Sequence, residues 1–501
     1  MSRIAARSTA AASKPERGSW NITIDDRTIE ANRGESVLQA ALRHGIEIPH
    51  FCYHPRLSIA GSCRICLVKV EGVPKLMPAC NLSVAPNMKV STLVPEVGRA
   101  RQQVMQFLML NHPVDCGICD KAGECRLQDY EYAYGLPRSR STEAKHHKRK
   151  LYDLSPRIQL DNERCILCSR CVRFTREISK SNMLGIVERG AHAVVERLDP
   201  KSDDDPYSDN VIGLCPTGAL LSRDFLYQSR VWFLEPVRSV CTGCSRGCSI
   251  DLWRRKKEWR LRSLGEERNS MLYRVTAHEN PEINGPWLCN KGFDQHKLMS
   301  RERTLTPMLG DAPVSIEQAL AQARDLIARA RSPAALVSAL ASNEELDVFK
   351  ATLGARFRVY AREDSVAQPG EVVEDDFLIK ADKNPNSYGV RERFGWRTLT
   401  AADAQAHDLF LVWGDWGDYD GFGRARVIHL ASFARQRDRH ADVLIPLSTT
   451  FERSGTFCNF EGKRNRFEKV LDKPPLVQHA ADVFAQLEAE LAGPQRLQEA
   501  S

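Results

Sequence analysis

The chain lacks the features that define several large protein classes. No run of apolar residues approaches the roughly 18 that a membrane helix needs. The first 20 residues, MSRIAARSTAAASKPERGSW, contain no apolar core of signal-peptide length. We predict a disordered tail over residues 1–17, with a transit peptide as the alternative. The net charge of +7 in 501 residues is too small to indicate nucleic acid binding by itself.

Nucleotide-binding loops are also missing. The glycine-rich stretch GDWGDYDGFG (414–423) fits neither the G-x-G-x-x-G pattern nor a Walker loop, so no nicotinamide site is evident. The basic stretch RSRSTEAKHHKRK (138–150) is interpreted as a solvated linker or subunit contact. DLWRRKKEWRLRS (251–263) interleaves two tryptophans with basic residues, but an exposed hairpin is favoured over a nucleic-acid strand.

Cysteine is what the chain has in excess. It contains 16, and 15 of them fall between Cys52 and Cys289. Cytosolic proteins rarely use cysteines as disulfides, and disulfide frameworks are typical of short secreted chains. Metal binding is therefore the main interpretation.

The cysteines fall into four sets, and a histidine completes one of them. The second set occurs in HPVDCGICDKAGEC (112–125), which has three thiols where a metal site usually has four ligands. The first set is Cys52, Cys63, Cys66 and Cys80; the second is Cys116, Cys119 and Cys125 with His112; the third is Cys165, Cys168, Cys171 and Cys215; the fourth is Cys241, Cys244, Cys248 and Cys289.

The spacing within the sets favours iron–sulfur clusters. C-x2-C-x2-C with a remote Cys-Pro is typical of ferredoxins, and the third set has this form in CILCSRC and LCPTGAL. Because a single triplet precedes Cys215, that cysteine is predicted to serve the same cluster. Zinc is the alternative, since two C-x-x-C pairs often form a zinc ribbon, and it stays open for the first set above all.

The residues around the first set predict a small β-rich domain. WNITIDD alternates apolar and polar residues, and RTIEANRG follows a tight Asp-Asp turn, as in two paired strands. ESVLQAALRHG has a helical apolar stripe, and Gly45 is a suitable stop. Strand, strand, helix and cysteine loop is the order of a plant-type [2Fe–2S] ferredoxin, although the spacing here is C-x10-C-x2-C-x13-C instead of C-x4-C-x2-C.

Five segments together carry a specific resemblance. FCYHPRLSIAGSCRICLVKVEG, HPVDCGICDKAGECRLQDY, ERCILCSRCVRFTREIS, VIGLCPTGAL and YRVTAHENPEINGPWLCNKG run in order over residues 20–293. They resemble the large iron–sulfur subunit, known as the G subunit, of bacterial respiratory NADH:quinone oxidoreductase (complex I). The fourth set is kept in only some members of that family, which are bacterial, so the resemblance argues against a mitochondrial origin.

The resemblance implies the ligands and cofactors. It implies a [2Fe–2S] cluster on the first set and a [4Fe–4S] cluster on each of the other three, with His112 as a ligand. By analogy with histidine-ligated Rieske centres, His112 is expected to tune the potential of its cluster.

The segment 294–501 reads differently. Short apolar runs such as AALVSAL, DLFLVWG and ADVLIPL alternate with helical patterns such as SIEQALAQARDLIARARS, which predicts a parallel α/β layer. ADVLIPLSTTFERSGTFCNFEGKRNRF resembles a stretch of molybdopterin-dependent oxidoreductases, and the fourth set, with Lys291 just beyond it, resembles their cluster.

A molybdenum enzyme is therefore a rival interpretation. The segment is short for such an enzyme, and no cysteine lies between Cys289 and Cys458 to ligate molybdenum. Cys458 is interpreted as a small buried residue. We expect a reduced domain without molybdopterin.

The predicted fold is a multidomain α+β chain. The expected parts are a β-grasp [2Fe–2S] domain (18–96), a small helical His(Cys)3 cluster domain (97–137), a ferredoxin-like [4Fe–4S] domain (138–236), a [4Fe–4S] domain of the molybdenum-enzyme type (237–293) and a shortened molybdopterin-oxidoreductase-like α/β domain (294–501).

The resemblance implies an electron-transfer subunit without a complete active site. It implies electrons arriving from an NADH-oxidising flavin subunit and leaving toward quinone-side iron–sulfur subunits, coupled to proton translocation. The expected location is the cytoplasmic face of the bacterial inner membrane, as a peripheral subunit without membrane insertion and without nucleic acid. The alternatives are the equivalent subunit of a soluble NAD-linked formate dehydrogenase or hydrogenase, and a zinc-bound scaffold.

Overall fold

The computed structural model describes residues 18–199, 205–415, 420–433 and 441–491. The predicted tail, 1–17, lies outside these ranges, as does part of the glycine-rich stretch at 414–423. The chain divides into two compact units, the first ending at Val231 and the second beginning at Trp232.

The first unit opens with a five-stranded sheet that holds one helix. Its elements are β1 (Ser19–Ile24), β2 (Arg27–Asn32), α1 (Val37–Arg43), β3 (Leu67–Val70), β4 (Met77–Pro78) and β5 (Lys89–Ser91). The strand order is β2-β1-β5-β3-β4, with β1 parallel to β5 and antiparallel to β2. Ile22 and Ile24 of β1 are buried against Val37 and Leu38 of α1. The two predicted strands and the predicted helix are confirmed.

Local sequence explains the ends of α1. The Ser36 hydroxyl accepts a hydrogen bond from the backbone N–H of Gln39, and the Gln39 side chain accepts one from the Ser36 N–H, which is a capping box. At the other end, Gly45 takes φ +68°, a conformation that glycine adopts without steric cost. The helix therefore stops where the sequence predicts.

Two helices follow the sheet and frame the second cysteine set. They are α2 (Pro95–Met109) and α3 (Arg126–Tyr134). Pro95 begins α2, a position where its missing N–H costs no helical hydrogen bond. The second set lies in the loop between these helices, and Cys125 is the residue from which α3 starts.

The rest of the first unit carries the third set on short elements. They are β6 (Tyr152–Asp153), β7 (Ile158–Leu160), α4 (Arg170–Glu177), β8 (Leu184–Val187), β9 (Val194–Arg197), α5 (Asn210–Leu214) and β10 (Leu220–Ser222). Strands β10, β7 and β6 form one antiparallel sheet, and β8 pairs with β9. Cys171 lies on α4 and Cys215 directly follows α5.

The second unit starts with an antiparallel sheet that holds the fourth set. Its elements are β11 (Leu234–Val240), β12 (Ser249–Arg255), α6 (Gly265–Ser270), β13 (Leu272–Ala277) and α7 (Asn290–Phe293), with the strand order β11-β12-β13. The tryptophan-containing basic stretch forms much of β12 and its connection to β13. The predicted hairpin is present, but it is not exposed throughout, because Leu252 and Arg255 are buried.

A seven-stranded mixed sheet forms most of the second unit. Its strands and neighbouring helices are β14 (Met308–Leu309), β15 (Ala312–Pro313), α8 (Ile316–Arg329), β16 (Pro333–Ser338), α9 (Asn343–Thr352), β17 (Arg358–Arg362), α10 (Ser387–Phe394), α11 (Ala401–Gln405), β18 (Leu409–Trp413), β19 (Arg426–Ala431) and β20 (Val443–Pro446). The order is β15-β14-β20-β19-β18-β16-β17. The five strands from β16 to β20 are parallel, as predicted, and the antiparallel pair β14–β15 was not foreseen.

The chain then adds a hairpin and a last helix. These are β21 (Gly455–Cys458), β22 (Arg464–Phe467) and α12 (Ala480–Leu491). Phe484 of α12 packs on Phe349 and Trp413, with ring centroids 5.0 and 4.8 Å apart. None of the helices in the described ranges is long and apolar enough to cross a membrane.

Candidate metal centres

The first set is gathered on the loop between α1 and β3 and on the turn after β4. Cys52, Cys66 and Cys80 are buried, and Cys63 is partly buried. Sulfur–sulfur contacts with Cys63 and Cys80 lower the pKa of the Cys52 thiol, and the contact with Cys80 lowers that of Cys66. All four thiols therefore meet at one place in the core.

The second set occupies the loop between α2 and α3. Cys119 and Cys125 are buried, whereas Cys116 is exposed. Burial, with help from the charges of Arg164 and Lys145, lowers the pKa of His112 to about 4. The imidazole is therefore neutral near pH 7, which is the form that ligates metals.

An unpartnered nitrogen marks His112 as a candidate ligand. Its Nδ1 is buried and has no hydrogen-bond partner among the described residues. A buried polar atom without a partner costs free energy, so such atoms are rare unless a ligand or metal satisfies them. The imidazole therefore fits an iron ligand better than a polar loop residue.

The third set surrounds one small cavity. Cys165, Cys168, Cys171 and Cys215 all line it, together with apolar side chains that include Leu160 and Val195. Leu167 and Ser169 have φ of +52° and +58°, the left-handed region that residues with a side chain seldom adopt. This strained backbone turns the three near cysteines toward the same cavity, and strain of this kind is concentrated at functional sites.

The third set lies against the second at one point. A Cβ atom added to Gly218 would be 2.2 Å from the Cys119 Sγ, so only glycine fits there. The backbone N–H of Arg126 donates to the Pro216 carbonyl at 3.0 Å. The loop that carries Cys215 thus packs on both Cys119 and the start of α3.

Two arginines of α4 connect the third set to the first. The Arg173 guanidinium donates to the backbone carbonyls of Cys52 and Ser58, and more weakly to that of Cys168 at 3.4 Å. Arg170 donates to the carbonyl of Tyr53. One buried side chain, Arg173, therefore bonds to the cysteine loops of two sets.

The fourth set lies in the second unit beside β11 and β12. Cys241 follows β11, and its N–H donates to the Cys248 carbonyl at 2.8 Å, which closes the loop around Cys244. Cys289 precedes α7. The pKa values of Cys241 and Cys248 are raised by burial first, and then by the charges of the other thiols in the set, so all four lie within electrostatic range.

Burial changes the protonation of these thiols throughout. It raises the pKa of Cys125, Cys168 and Cys289 to about 11 and that of Cys165 to about 12. Surrounding protein groups alone would keep them protonated at neutral pH. A bound metal deprotonates its thiol ligands, so buried cysteines in sets of four suit metal ligation.

A pocket of about 860 Å³ lies at the carboxyl ends of the parallel strands of the second unit. This edge of a parallel sheet is the usual place for a ligand. Lys291, just beyond Cys289, borders the pocket and pairs with Glu371 at 3.0 Å. The described residues around it include six acidic and three basic side chains: Glu302, Glu345, Glu363, Asp364, Glu371 and Asp415, and Lys291, Arg301 and Arg453.

Cys458 is buried on β21, as predicted. Its Sγ accepts a hydrogen bond from the Asn343 amide at 3.4 Å, and its N–H donates to the Asn386 side chain at 2.7 Å. Within the described residues, no group of three or more His, Cys, Asp or Glu side chains is arranged to hold a single metal ion.

Sequence reasoning missed the arginines Arg164, Arg170 and Arg173. With 71 lysines and arginines in the chain, a single arginine carries no signal. Arginine is almost never fully buried unless it is paired. Their positions directly before or shortly after the third-set cysteines are the one cue that could have drawn attention to them.

Comparison with known proteins agrees with this geometry. Residues 19–94 match a 2Fe-2S iron-sulfur cluster binding domain, residues 101–140 the NADH-ubiquinone oxidoreductase-G iron-sulfur binding region, and residues 155–221 the ferredoxin-like domain of NADH-quinone oxidoreductase subunit 3. Each match encloses one of the first three cysteine sets. The first unit is therefore an iron–sulfur protein of the 2Fe-2S and 4Fe-4S classes.

Curated relatives identify the family. The chain is 38% identical to the NADH-ubiquinone oxidoreductase 75 kDa subunit of Reclinomonas americana over 58% of this chain and 40% of that protein. It is 36% identical to the G subunit of the NADH-quinone oxidoreductase of Rickettsia felis over 66% of this chain and 48% of the relative. The mitochondrial NADH dehydrogenase [ubiquinone] iron-sulfur protein 1 of Solanum tuberosum is 39% identical over 58% and 38%.

The cysteine-rich part of the chain belongs to the family formed by the G subunit of NADH-quinone oxidoreductase and its 75 kDa counterpart, with about 37% identity over roughly 60% of the chain. The chain spans less than half the length of these relatives. Among solved structures, an NAD+-reducing [NiFe]-hydrogenase in the H2-reduced state is 29% identical, covering 43% of this chain and 92% of the matched chain with a TM-score of 0.39.

Proposed function

We propose that this protein is the electron-transfer subunit of an NADH:quinone oxidoreductase of the complex I type. The observation that carries the proposal is the coincidence of three independent family matches with three separately folded cysteine sets. The chain would carry electrons between an NADH-oxidising flavin subunit and quinone-side iron–sulfur subunits. The coupled proton translocation would belong to the whole assembly.

The proposed ligand sets are those that the sequence predicts. The first set would hold a [2Fe–2S] cluster, and the second, third and fourth sets a [4Fe–4S] cluster each. The buried, unpartnered Nδ1 of His112 and the cavity lined by all four third-set thiols support these assignments. Such clusters supply one-electron transfer, and the protein tunes them through ligands, hydrogen bonds and burial.

The contacts within the first unit support a spatial order that differs from the sequence order. Arg173 links the first set to the third, and Gly218 brings the third set against Cys119 of the second. The order first, third, second would place the second set at one end. There Cys116 is exposed beside Val114 and Ile118, which are 73% and 61% exposed. We propose this apolar surface as the contact with a quinone-side iron–sulfur subunit.

The finer architecture is also a proposal. The parallel order in the first sheet supports a β-grasp domain at 18–96, and the loop between two helices supports the small His(Cys)3 domain at 97–137. The parts 138–236, 237–293 and 294–501 would follow as predicted, the last as a shortened molybdopterin-oxidoreductase-like domain. A peripheral location on the cytoplasmic face of the bacterial inner membrane goes with this assignment.

We propose that the large pocket of the second unit holds no molybdopterin. Its described lining has twice as many acidic as basic residues, which disfavours a phosphate-rich dinucleotide. The Lys291 ammonium is already paired with Glu371 at 3.0 Å. Cys458 is held by Asn343 and Asn386, which supports a packing role for this thiol.

Serine variants test the ligand sets one at a time. Cys66→Ser, Cys119→Ser, Cys168→Ser and Cys244→Ser each remove one ligand, and Cys458→Ser removes a thiol outside the four sets. Each of the first four is expected to lose or alter one electron paramagnetic resonance signal, because metal binding is coupled to local folding. Cys458→Ser is expected to keep every signal. A set whose variant changes no signal and keeps full iron would not be a cluster site.

A second experiment tests the partner class. An affinity-tagged copy in its native host is expected to bring down an NADH-oxidising flavin subunit together with membrane proton-pump subunits. Recovery with a soluble formate dehydrogenase or hydrogenase instead would contradict the complex I assignment and leave the cluster assignments standing.

A further inference from the structure

Arg164 lies between the second and third sets. It directly precedes Cys165, and its backbone carbonyl accepts a hydrogen bond from the Thr217 hydroxyl at 2.8 Å. Its side chain is 2% exposed and is the largest fully buried side chain of the described residues. A guanidinium is costly to bury, so its partners have to account for it.

Those partners satisfy only part of the guanidinium. The Nη2 group donates to the Asp115 carboxylate at 3.0 Å, and Nε lies 3.2 Å from the Asp161 carboxylate. Asp115 is shared, because it also pairs with Lys150 at 2.8 Å. The remaining group, Nη1, is buried and has no hydrogen-bond partner among the described residues. A buried N–H donor of a charged group is thus left over.

The side chain is also close to the second set. The position that a Cβ atom of Gly218 would take lies 2.2 Å from the Cys119 Sγ and 3.6 Å from the Arg164 Cδ. The Arg164 charge acts on both Cys119 and His112. Two unpartnered nitrogens, His112 Nδ1 and Arg164 Nη1, therefore belong to the surroundings of one cysteine set.

We propose that Arg164 donates its Nη1–H to a sulfur atom of the cluster held by the second set, and that this hydrogen bond and charge raise the reduction potential of that cluster. The inference rests on the proposed function, because it presumes a cluster on the second set. Hydrogen bonds to cluster sulfurs are a recognised means of setting the potential. A guanidinium favours the reduced form, which carries one more negative charge than the oxidised form.

Asp115 and Asp161 do not cancel this effect. They anchor Nη2 and Nε, whereas the proposed bond uses the third nitrogen. A charge-assisted N–H donor is about twice as strong as a neutral one. Arg164 is therefore a positioning residue for Asp115 and Asp161 and, through Nη1, a tuning residue for the second set.

The test uses the full chain with its clusters, purified anaerobically. The protein is labelled with 15N in the arginine side chains, and the second-set signal is examined for 15N coupling in the wild type and in Arg164→Lys. The midpoint potential of the same signal is measured in both and in Arg164→Met. The control is Arg223→Gln, an exposed arginine of the same unit that pairs with Asp153 at 3.3 Å.

The expected result is a 15N coupling in the wild type that is absent in Arg164→Lys. Arg164→Met is expected to shift the reduction equilibrium at least tenfold toward the oxidised form, which is a fall of at least 59 mV for a one-electron couple. Arg164→Lys should fall less, and the control should match the wild type. A wild-type signal without 15N coupling would overturn the inference even if Arg164→Met failed to fold. A wild type with no second-set signal at all would instead overturn the proposed function.

Discussion

Replacing Arg173 by alanine is predicted to loosen the junction between the first and third sets. Arg173 is 4% exposed and donates to the carbonyls of Cys52, Ser58 and Cys168. Ser58 is exposed, so water can replace the lost donor there. The carbonyls of Cys52 and Cys168 belong to buried residues and would stay without a donor.

The magnitude follows from those two carbonyls. A buried polar group that loses its partner costs about 1–3 kcal/mol, so the expected destabilisation is about 2–6 kcal/mol. A typical domain is stable by about 5–15 kcal/mol, so this loss is large for the domain that contains Cys52. The lower limit alone corresponds to more than a tenfold change in an equilibrium constant.

The assay is the bleaching of visible cluster absorbance in a fixed concentration of guanidinium chloride. Arg173→Ala is expected to bleach at least tenfold faster than the wild type, with the [2Fe–2S] signal among the first to be lost. Arg173→Lys should recover part of the loss, because an ammonium group can still donate to one of the carbonyls. We expect the half-time to reveal the effect even though unfolding of a cluster protein is not two-state.

Arg176 provides the matched control, since it lies on the same helix, is 60% exposed and pairs with its neighbour Glu177 at 3.1 Å. Surface changes of this kind usually alter stability by no more than about 0.5 kcal/mol. Equal bleaching rates for Arg173→Ala and Arg176→Ala would refute the proposed bridge.

Three further predictions concern packing and pH. Gly218→Ala places a methyl group 2.2 Å from the Cys119 Sγ, so the second-set signal should be lost while total iron falls by roughly four atoms per chain. Phe484→Ala removes a fully buried ring from the core of the second unit and should destabilise it by about 3–5 kcal/mol, seen as a lower thermal midpoint by circular dichroism. Burial first, and then the nearby Lys473, lower the pKa of His479, so acid should favour the unfolded state as the pH falls through the usual histidine range. His479→Gln should therefore flatten the dependence of the thermal midpoint on pH between about 7.5 and 5.5.

Each of these has its own comparison. Gly213→Ala adds a methyl group where nothing lies within 4 Å, and it should keep all signals. Leu476→Ala changes a leucine that is 46% exposed and should cost much less than Phe484→Ala. For the histidine, the wild type and His479→Gln are compared at each pH, and parallel pH profiles of the two proteins would contradict the expected loss of stability in acid.

Much of the local fold was predictable because it depends on neighbours in sequence. The turn at Asp25, the Ser36 cap of α1 and the stop at Gly45 are all short-range features. Apolar runs such as the one in β18 locate buried parallel strands for the same reason. The pair β14–β15 escaped prediction because strands of two residues leave no periodicity to read.

The candidate ligands were predictable from spacing, but their arrangement in space was not. Arg173 and Cys52 are 121 residues apart, and Gly218 contacts Cys119 across a similar distance in the chain. No local pattern encodes such contacts. The roles of the buried arginines were invisible for the same reason, since Arg164 and the exposed Arg176 look alike in the sequence.

The most direct test of the central claim is the metal content of anaerobically purified protein, read together with low-temperature electron paramagnetic resonance after reduction. The account predicts about 14 iron atoms per chain, no molybdenum, and one [2Fe–2S] signal beside [4Fe–4S] signals. Little iron with abundant zinc would contradict the electron-transfer function, and stoichiometric molybdenum would contradict the assignment of the second unit.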